Sequence, residues 1–210
     1  MKKLSKQGYL TLREGAEVIE SDGHGDKVLL LTDGTYLKLF RRKRLLSTAL
    51  ISPYAQRFAK NAEKLAALNI PSVSIINLFR IPSVQRTAVH YSPLAGTTLR
   101  TIDNGIDDAL AGKLGKFIRD LHEKGIYFRS LHFGNIVLTP ENQFGLIDIS
   151  DMKFFYRPLS LKRRLRNFHH SARHPNDRDA LNKSIKSFNQ GYQFIGKPSI
   201  TEQALKTIFL

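Results

Sequence analysis

Apolar and polar positions follow a short-strand rhythm through the first forty residues. Leu10-Thr11-Leu12-Arg13 and Ala16-Glu17-Val18-Ile19 carry partial period-two alternation, and Ser21-Asp22-Gly23-His24-Gly25-Asp26 is a turn signal. Residues 28–31 form an apolar run, and Asp33-Gly34 makes a tight turn before Tyr36-Leu37-Lys38-Leu39-Phe40. Strand, Asp-Gly, strand is the sharpest hairpin signature in the chain. A basic run, Arg41 to Arg44, leads out of it. Ser52-Pro53 then opens a helix, with proline where the first turn tolerates it, an apolar face through Phe58, Leu65 and Leu68, and Pro71 as its stop. Strands are predicted over 74–79 and 87–91, followed by the loop Ser92-Pro93-Leu94-Ala95-Gly96. The period changes over 107–124, where Leu110, Leu114, Ile118 and Leu121 share one helical face and Gly125 stands at the stop. Ile136-Val137-Leu138 and Phe144-Gly145-Leu146-Ile147 read as two short strands joined by a turn, and the chain from Arg157 onward reads as helical. The order predicts an α+β protein divided into a β-rich part over 1–92 and a mainly helical part over 93–210.

Composition changes this picture little, and charge changes it more. Hydrophobic residues at 41% and charged residues at 24% describe a folded chain rather than a disordered one. With no cysteine, disulfides, zinc–thiolate sites and cysteine nucleophiles are excluded together. No apolar run is long enough to span a bilayer, and Met1-Lys2-Lys3-Leu4-Ser5-Lys6 leads into no signal-peptide pattern. A cytoplasmic location, peripheral at the inner membrane, is the expectation. The net charge of +15 predicts attraction to polyanions: nucleic acid, anionic lipid head groups or phosphorylated sugars. Arg157, Lys162, Arg163, Arg164, Arg166, Arg173 and Arg178, with His169, His170 and His174, concentrate that charge. A helix starting near Ser160 would gather several of them on one face as an anion grip, with Leu161, Leu165 and Phe168 packed inward. The histidines lack metal-ligand spacing, and no nucleic-acid motif accompanies the segment.

Candidate chemistry begins at Lys38, which sits mid-strand among apolar neighbours; a buried ammonium there requires an anion, whereas the commoner lysine at a strand edge snorkels to water. The densest stretch runs Leu121-His122-Glu123-Lys124-Gly125-Ile126-Tyr127-Phe128-Arg129-Ser130-Leu131-His132-Phe133-Gly134-Asn135-Ile136-Val137-Leu138, followed by Gly145-Leu146-Ile147-Asp148-Ile149. It resembles the catalytic segment of protein-kinase-like enzymes, whose small-molecule and sugar kinases read LHxxGI, then HxDLHxxN, then two strands and an aspartate. The resemblance spans about 15–151. It implies a two-lobed kinase-like fold with a small antiparallel β lobe, ATP and Mg2+ as cofactors, Lys38 on the nucleotide phosphates, and Asn135 and Asp148 as magnesium ligands. Val89-His90-Tyr91-Ser92-Pro93-Leu94-Ala95-Gly96-Thr97-Thr98-Leu99 resembles the hinge that meets adenine through its backbone, which implies base contacts at His90 and Tyr91. Asn69-Ile70-Pro71, the short chain and the basic tail resemble bacterial lipopolysaccharide core kinases for Kdo and heptose, and the related toluene-tolerance proteins. The implied partner is lipopolysaccharide core or another anionic glycolipid, gripped by Arg129, Arg163, Arg164 and Arg166 at the inner leaflet.

The chain departs from the pattern at several positions. Ser130 stands where the family has its catalytic aspartate, and Phe128 where it has the preceding histidine. Asp151, just past Asp148, has two readings, assisting at the site and, the commoner, capping a turn. The glutamate expected to pair with Lys38 is missing from the inward face of the helix: counting along that face reaches Asn61, with Glu63 on the opposite side. Gly23 and Gly25 read as a plain hairpin turn, leaving Glu14-Gly15 as the loop over a nucleotide. Three functions follow: a phosphotransferase, a nucleotide-binding pseudokinase acting as scaffold or sensor in envelope biogenesis, and a basic protein that binds nucleic acid.

Overall fold

A computed structural model of the chain describes residues 1–41, 54–102, 105–193 and 200–209; the expected helix opening at Ser52-Pro53 and residues 42–44 of the basic run lie outside them. The chain is mixed α+β and divides into two compact units, Met1–Leu94 and Ala95–Leu210.

The first unit runs β1 (Lys2–Lys3), α1 (Lys6–Arg13), β2 (Glu17–Asp22), β3 (Gly25–Leu30), β4 (Tyr36–Arg41), α2 (Tyr54–Ala67), β5 (Ser74–Ile81) and β6 (Arg86–Ser92). Its six-stranded sheet has the order β1-β5-β6-β4-β3-β2. Every neighbouring pair is antiparallel except β1 with β5, so the expected antiparallel sheet is a mixed one. The parallel edge arises because Lys2 and Lys3 enter beside β5 and α1 then crosses one face of the sheet.

That helix replaces the strand expected over 10–13. Ser5 Oγ accepts from the Gly8 N–H at 3.0 Å and starts it. Tyr9 and Leu12, spaced i and i+3, pack with Leu4 and Ala16 onto Leu29, Leu31, Leu37, Leu39, Phe79 and Ile81. Leu10, half of the misleading alternation, is 46% exposed. The other face of the sheet is covered by α2, which packs on β4, β5 and β6 through Ala55, Phe58, Ala59, Ala62 and Leu65. Alternation along β4 sends Leu37 and Leu39 toward α1 and puts Tyr36, Lys38 and Phe40 on the α2 face, where Phe40 and Tyr91 flank the ring of Phe58.

The second unit runs β7 (Thr97–Thr98), α3 (Asp108–Glu123), β8 (Ile126–Tyr127), β9 (Ile136–Leu138), β10 (Phe144–Leu146), β11 (Lys153–Phe154), α4 (Leu161–Ser171), α5 (Pro175–Asn182), α6 (Ile185–Tyr192) and α7 (Glu202–Phe209). Asp107 caps α3 by accepting from the Leu110 N–H at 2.7 Å. Gly125 ends that helical run with φ +72°, and an added Cβ there would lie 2.2 Å from Phe155 O, so the turn admits no side chain. Two small sheets, β10-β9-β7 and β11-β8, frame the segments on either side of the 128–135 loop. Among the described residues, no helix is long and apolar enough to cross a membrane.

Candidate functional site

In the second unit, the loop between β8 and β9 is built from the inside out. Phe128, Leu131 and Phe133 are buried at 1%, 2% and 6% exposure, so three residues of the loop point into the core. Phe128 thus fills apolar space in the core. Two buried polar groups hold the loop's backbone: Asn167 Nδ2 donates to Phe128 O at 2.6 Å, and the Phe133 N–H donates to Asp177 Oδ2 at 2.8 Å. Asp177 is itself fixed by Arg100, whose Nε and guanidinium N–H reach its two oxygens at 3.0 and 2.9 Å. Asn135 closes the loop by donating from Nδ2 to Ser130 O at 2.9 Å; the same nitrogen lies 3.2 Å from His132 Nε2.

The chain returns to this loop after β10. Ile147 N–H donates to Asn135 O at 3.1 Å, which sets Asp148 beside the loop. Asp148 adopts φ 51° and ψ 45°, a left-handed conformation that aspartate tolerates better than most residues. A single 3-10 turn, Ile149–Asp151, follows and carries Asp151 back to Ser130, whose Oγ donates to Asp151 Oδ2 at 2.6 Å. Asp151 is therefore bonded across the chain to the loop, which corrects the reading of it as a turn cap. Burial pushes its carboxyl above the ordinary range; the Ser130 hydrogen bond opposes this and the nearby Asp148 charge adds to it. His132 is held below the ordinary imidazole range, first by burial and then by the charges of His174 and Arg100.

The unit thus brings together Ser130, Asn135 and Asp148 from the sequence-derived set, with Asp151 and His132 beside them. Arg129 is exposed next to them, close enough for its charge to act on Asp151. Among the described residues, no group of three or more His, Asp or Glu gathers as a metal site.

In the first unit, Lys38 is half-buried on the α2 face, opposite Val28 and Val89 on its two neighbouring strands. Asn61 is 7% exposed and belongs to the buried face of α2, while Glu63 is exposed. His90 Nε2 is 2.7 Å from Thr35 Oγ1, and its ring stacks on Phe79; Tyr91 stacks on Tyr36 and leans on Phe58. β6 is flanked by β4 through Tyr91 and by β5 through Ser92, so main chain past Ser92 is the first to leave the ladder. Glu14-Gly15 is corrected from a nucleotide loop to the terminator of α1: the Glu14 N–H closes on Leu10 O, and Gly15 turns the chain at φ +69°. Gly23 and Gly25 lie in the β2–β3 hairpin turn, where Asp22 Oδ1 accepts from the His24 N–H at 2.8 Å.

The basic segment divides on α4. Lys162, Arg163, Arg166 and His169 are exposed, and Arg163 lies 4.1 Å over the ring of Phe155. Arg164 is corrected: it is 8% exposed, donates to Leu159 O at 2.7 Å and pairs with Glu123 at 2.9 Å, so it braces the unit instead of offering an anion grip. Leu161, expected inside, is 44% exposed because it opens the helix before its buried stripe begins.

The residues that sequence reasoning missed are Arg100, Asn167 and Asp177. They lie 30 or more positions from the loop residues they hold, and no local motif marks them. The weak available signal was the pairing of polar types within apolar helical stripes, as at Asn167 beside Phe168. No protein-family model matches this sequence, and no curated protein matches it.

Proposed function

We propose that the chain is a phosphotransferase of the protein-kinase-like fold, using ATP and magnesium to modify a hydroxyl of lipopolysaccharide core or another anionic glycolipid. The observation that carries this reading is the convergence of Ser130, Asn135 and Asp148 on one anchored loop and one strained turn. Backbone strain of this kind concentrates at functional sites. The donors fit magnesium, a hard cation that takes oxygen ligands: Asp148 offers a carboxylate, and Asn135, with its Nδ2 directed at Ser130 O, offers its amide oxygen. Magnesium would supply charge neutralisation on the transferring phosphates. The protein's part is to hold those oxygens and keep the acceptor hydroxyl beside Ser130.

Incubation with labelled ATP, magnesium and core lipopolysaccharide tests this. Product is expected from the native chain, with a fall of at least about 10²-fold in Asp148→Asn, together with loss of the magnesium-dependent thermal stabilisation by ATP. Ser130 favours a second reading, a pseudokinase that binds nucleotide without turnover, since a serine hydroxyl is a weak base. Thermal stabilisation without product selects it. Salt-sensitive binding to duplex DNA with no response to ATP selects a nucleic-acid-binding protein instead.

The glycolipid acceptor draws support from the surface at the start of α4. Tyr156 is fully exposed, Leu161 is 44% exposed, and Arg157, Lys162, Arg163 and Arg166 surround them in sequence. An exposed aromatic among cations suits an anionic bilayer surface. At roughly 1 kcal/mol per cation near such a surface, Arg163→Ala with Arg166→Ala is expected to weaken sedimentation with phosphatidylglycerol vesicles about 30-fold. Arg164→Ala should leave vesicle affinity intact and lower stability by about 1–3 kcal/mol, because it removes the bonds to Leu159 O and Glu123. Equal loss of vesicle binding in both variants would count against the surface.

A further inference from the structure

We propose that Ser130 and Asp151 together replace the missing loop carboxylate, Ser130 meeting the acceptor hydroxyl and Asp151 taking the proton from behind it. The inference rests on the phosphotransferase reading. Its geometric basis is the hydrogen bond from Ser130 Oγ to Asp151 Oδ2 at 2.6 Å, short enough to be charge-assisted and made across 21 positions of sequence. A hydroxyl that donates to a carboxylate keeps its lone pairs free to accept from another hydroxyl. The carboxylate is thus carried one atom group further from the acceptor, and the serine bridges the gap.

Three further observations separate this from an ordinary turn contact. Asp151 Oδ1 is buried with no hydrogen-bond partner, whereas a purely structural carboxylate normally has both oxygens satisfied. An unsatisfied buried oxygen raises the energy of the ionised form and favours proton uptake. The approach is also built from both sides. The loop is tethered at Phe128 O by Asn167 and at the Phe133 N–H by Asp177, while the opposing turn is set by left-handed Asp148 and closed by the Met152 N–H on Ile149 O. Finally, Phe128 puts a buried apolar ring where the resembled kinases have an imidazole, so the titratable group bonded to the loop hydroxyl is Asp151.

The step balances as follows. The acceptor oxygen forms a bond to the γ-phosphorus of ATP as the bond from that phosphorus to the β-bridging oxygen breaks, its electron pair leaving with ADP. The acceptor's proton moves to Ser130 Oγ while Ser130's own proton moves to Asp151 Oδ2. No oxidant or further reactant is needed.

The test reads ADP release from magnesium–ATP with core lipopolysaccharide as acceptor, and thermal stabilisation by magnesium–ATP, for four variants. Asp151→Asn and Ser130→Ala are each expected to lower kcat about 10²–10⁴-fold with KM for ATP and thermal stabilisation kept. The double variant should be no worse than either, because the two residues act in series. Ser130→Asp placed in the Asp151→Asn chain should restore at least tenfold, since it returns a carboxylate to the loop; a merely structural Asp151 would not be rescued this way. Native turnover with Asp151→Asn unchanged, or no rescue in a chain that still binds magnesium–ATP, overturns this proposal alone. No turnover by the native chain overturns the phosphotransferase reading and this proposal together.

Discussion

Gly191→Val is expected to abolish folding of the second unit rather than weaken it. A Cβ at Gly191 would lie 1.9 Å from Gly112 O and 2.8 Å from its carbonyl carbon, and one at Gly115 would lie 2.1 Å from Phe188 O. Helices α3 and α6 therefore meet backbone against backbone, and no flexible side chain stands in the way that could swing aside. Making room means parting the helices, which exposes Leu114, Phe188 and Tyr192, all fully buried. Overpacking of a core ordinarily costs about 1–3 kcal/mol. A branched side chain against two backbones belongs with the exceptional losses above about 4 kcal/mol, comparable to the whole stability of a small domain. Gly112→Ala is the matched control, because its Cβ would lie 3.5 Å from Ser187 O, an ordinary contact. It should be neutral or gain up to about 1 kcal/mol from helix propensity. Urea midpoints of the three chains check the pair of expectations. A Gly191→Val chain with a native midpoint would show that the helices do not touch as described.

Those glycines carried no legible signal, since nothing local distinguishes a glycine at a helix crossing from one in a tolerant helix. Elements whose cause is local were legible: the Asp33-Gly34 hairpin, the α3 stripe from Leu110 to Leu121 with its stop at Gly125, and the two strands around 140–143. The inward turn of Asn61 and outward turn of Glu63 followed from helical period alone. Errors came where two periods fit the same letters. Leu10 and Leu12 satisfy strand alternation, yet Tyr9 and Leu12 satisfy a helix, and the sheet beneath α1 decides between them. Arg164 was misread because residue type suggests a surface, whereas its burial depends on Glu123, 41 positions away. The loop's letters were readable as a motif. Its anchors at Arg100, Asn167 and Asp177, and the reach of Asp151, exist only once the helices have packed.

Mild acid is expected to destabilise the second unit through one buried histidine. His122 is fully buried on α3, with Nδ1 2.7 Å from the Tyr192 hydroxyl and Nε2 3.2 Å from Asn167 Oδ1. Because Asn167 Nδ2 already donates to Phe128 O, its Oδ1 must accept, which assigns the proton to His122 Nε2 and makes Nδ1 the acceptor from Tyr192. Burial lowers the imidazole to about 3, with the Asn167 bond opposing and the Arg164 charge assisting. The folded chain therefore keeps His122 neutral while the unfolded chain protonates it near 6.5. Stability is fully present above 6.5 and falls as pH drops from there toward 3, by roughly 2 kcal/mol at pH 5 at 1.36 kcal/mol per unit. His132 and His170, also held below the ordinary range, tilt the curve the same way, as does repulsion among the excess cations. His122→Phe separates the contributions. It should lower stability at pH 7.5 by about 2–4 kcal/mol, by removing the imidazole's bonds to Tyr192 and Asn167, yet flatten the loss between pH 6.5 and 5 by nearly one bound proton. Urea midpoints at pH 7.5, 6 and 5 give both slopes, and parallel slopes would remove His122 as the cause. The consequence reaches the candidate site, since the chain of bonds from Tyr192 through His122 and Asn167 ends on Phe128 O, two residues before Ser130.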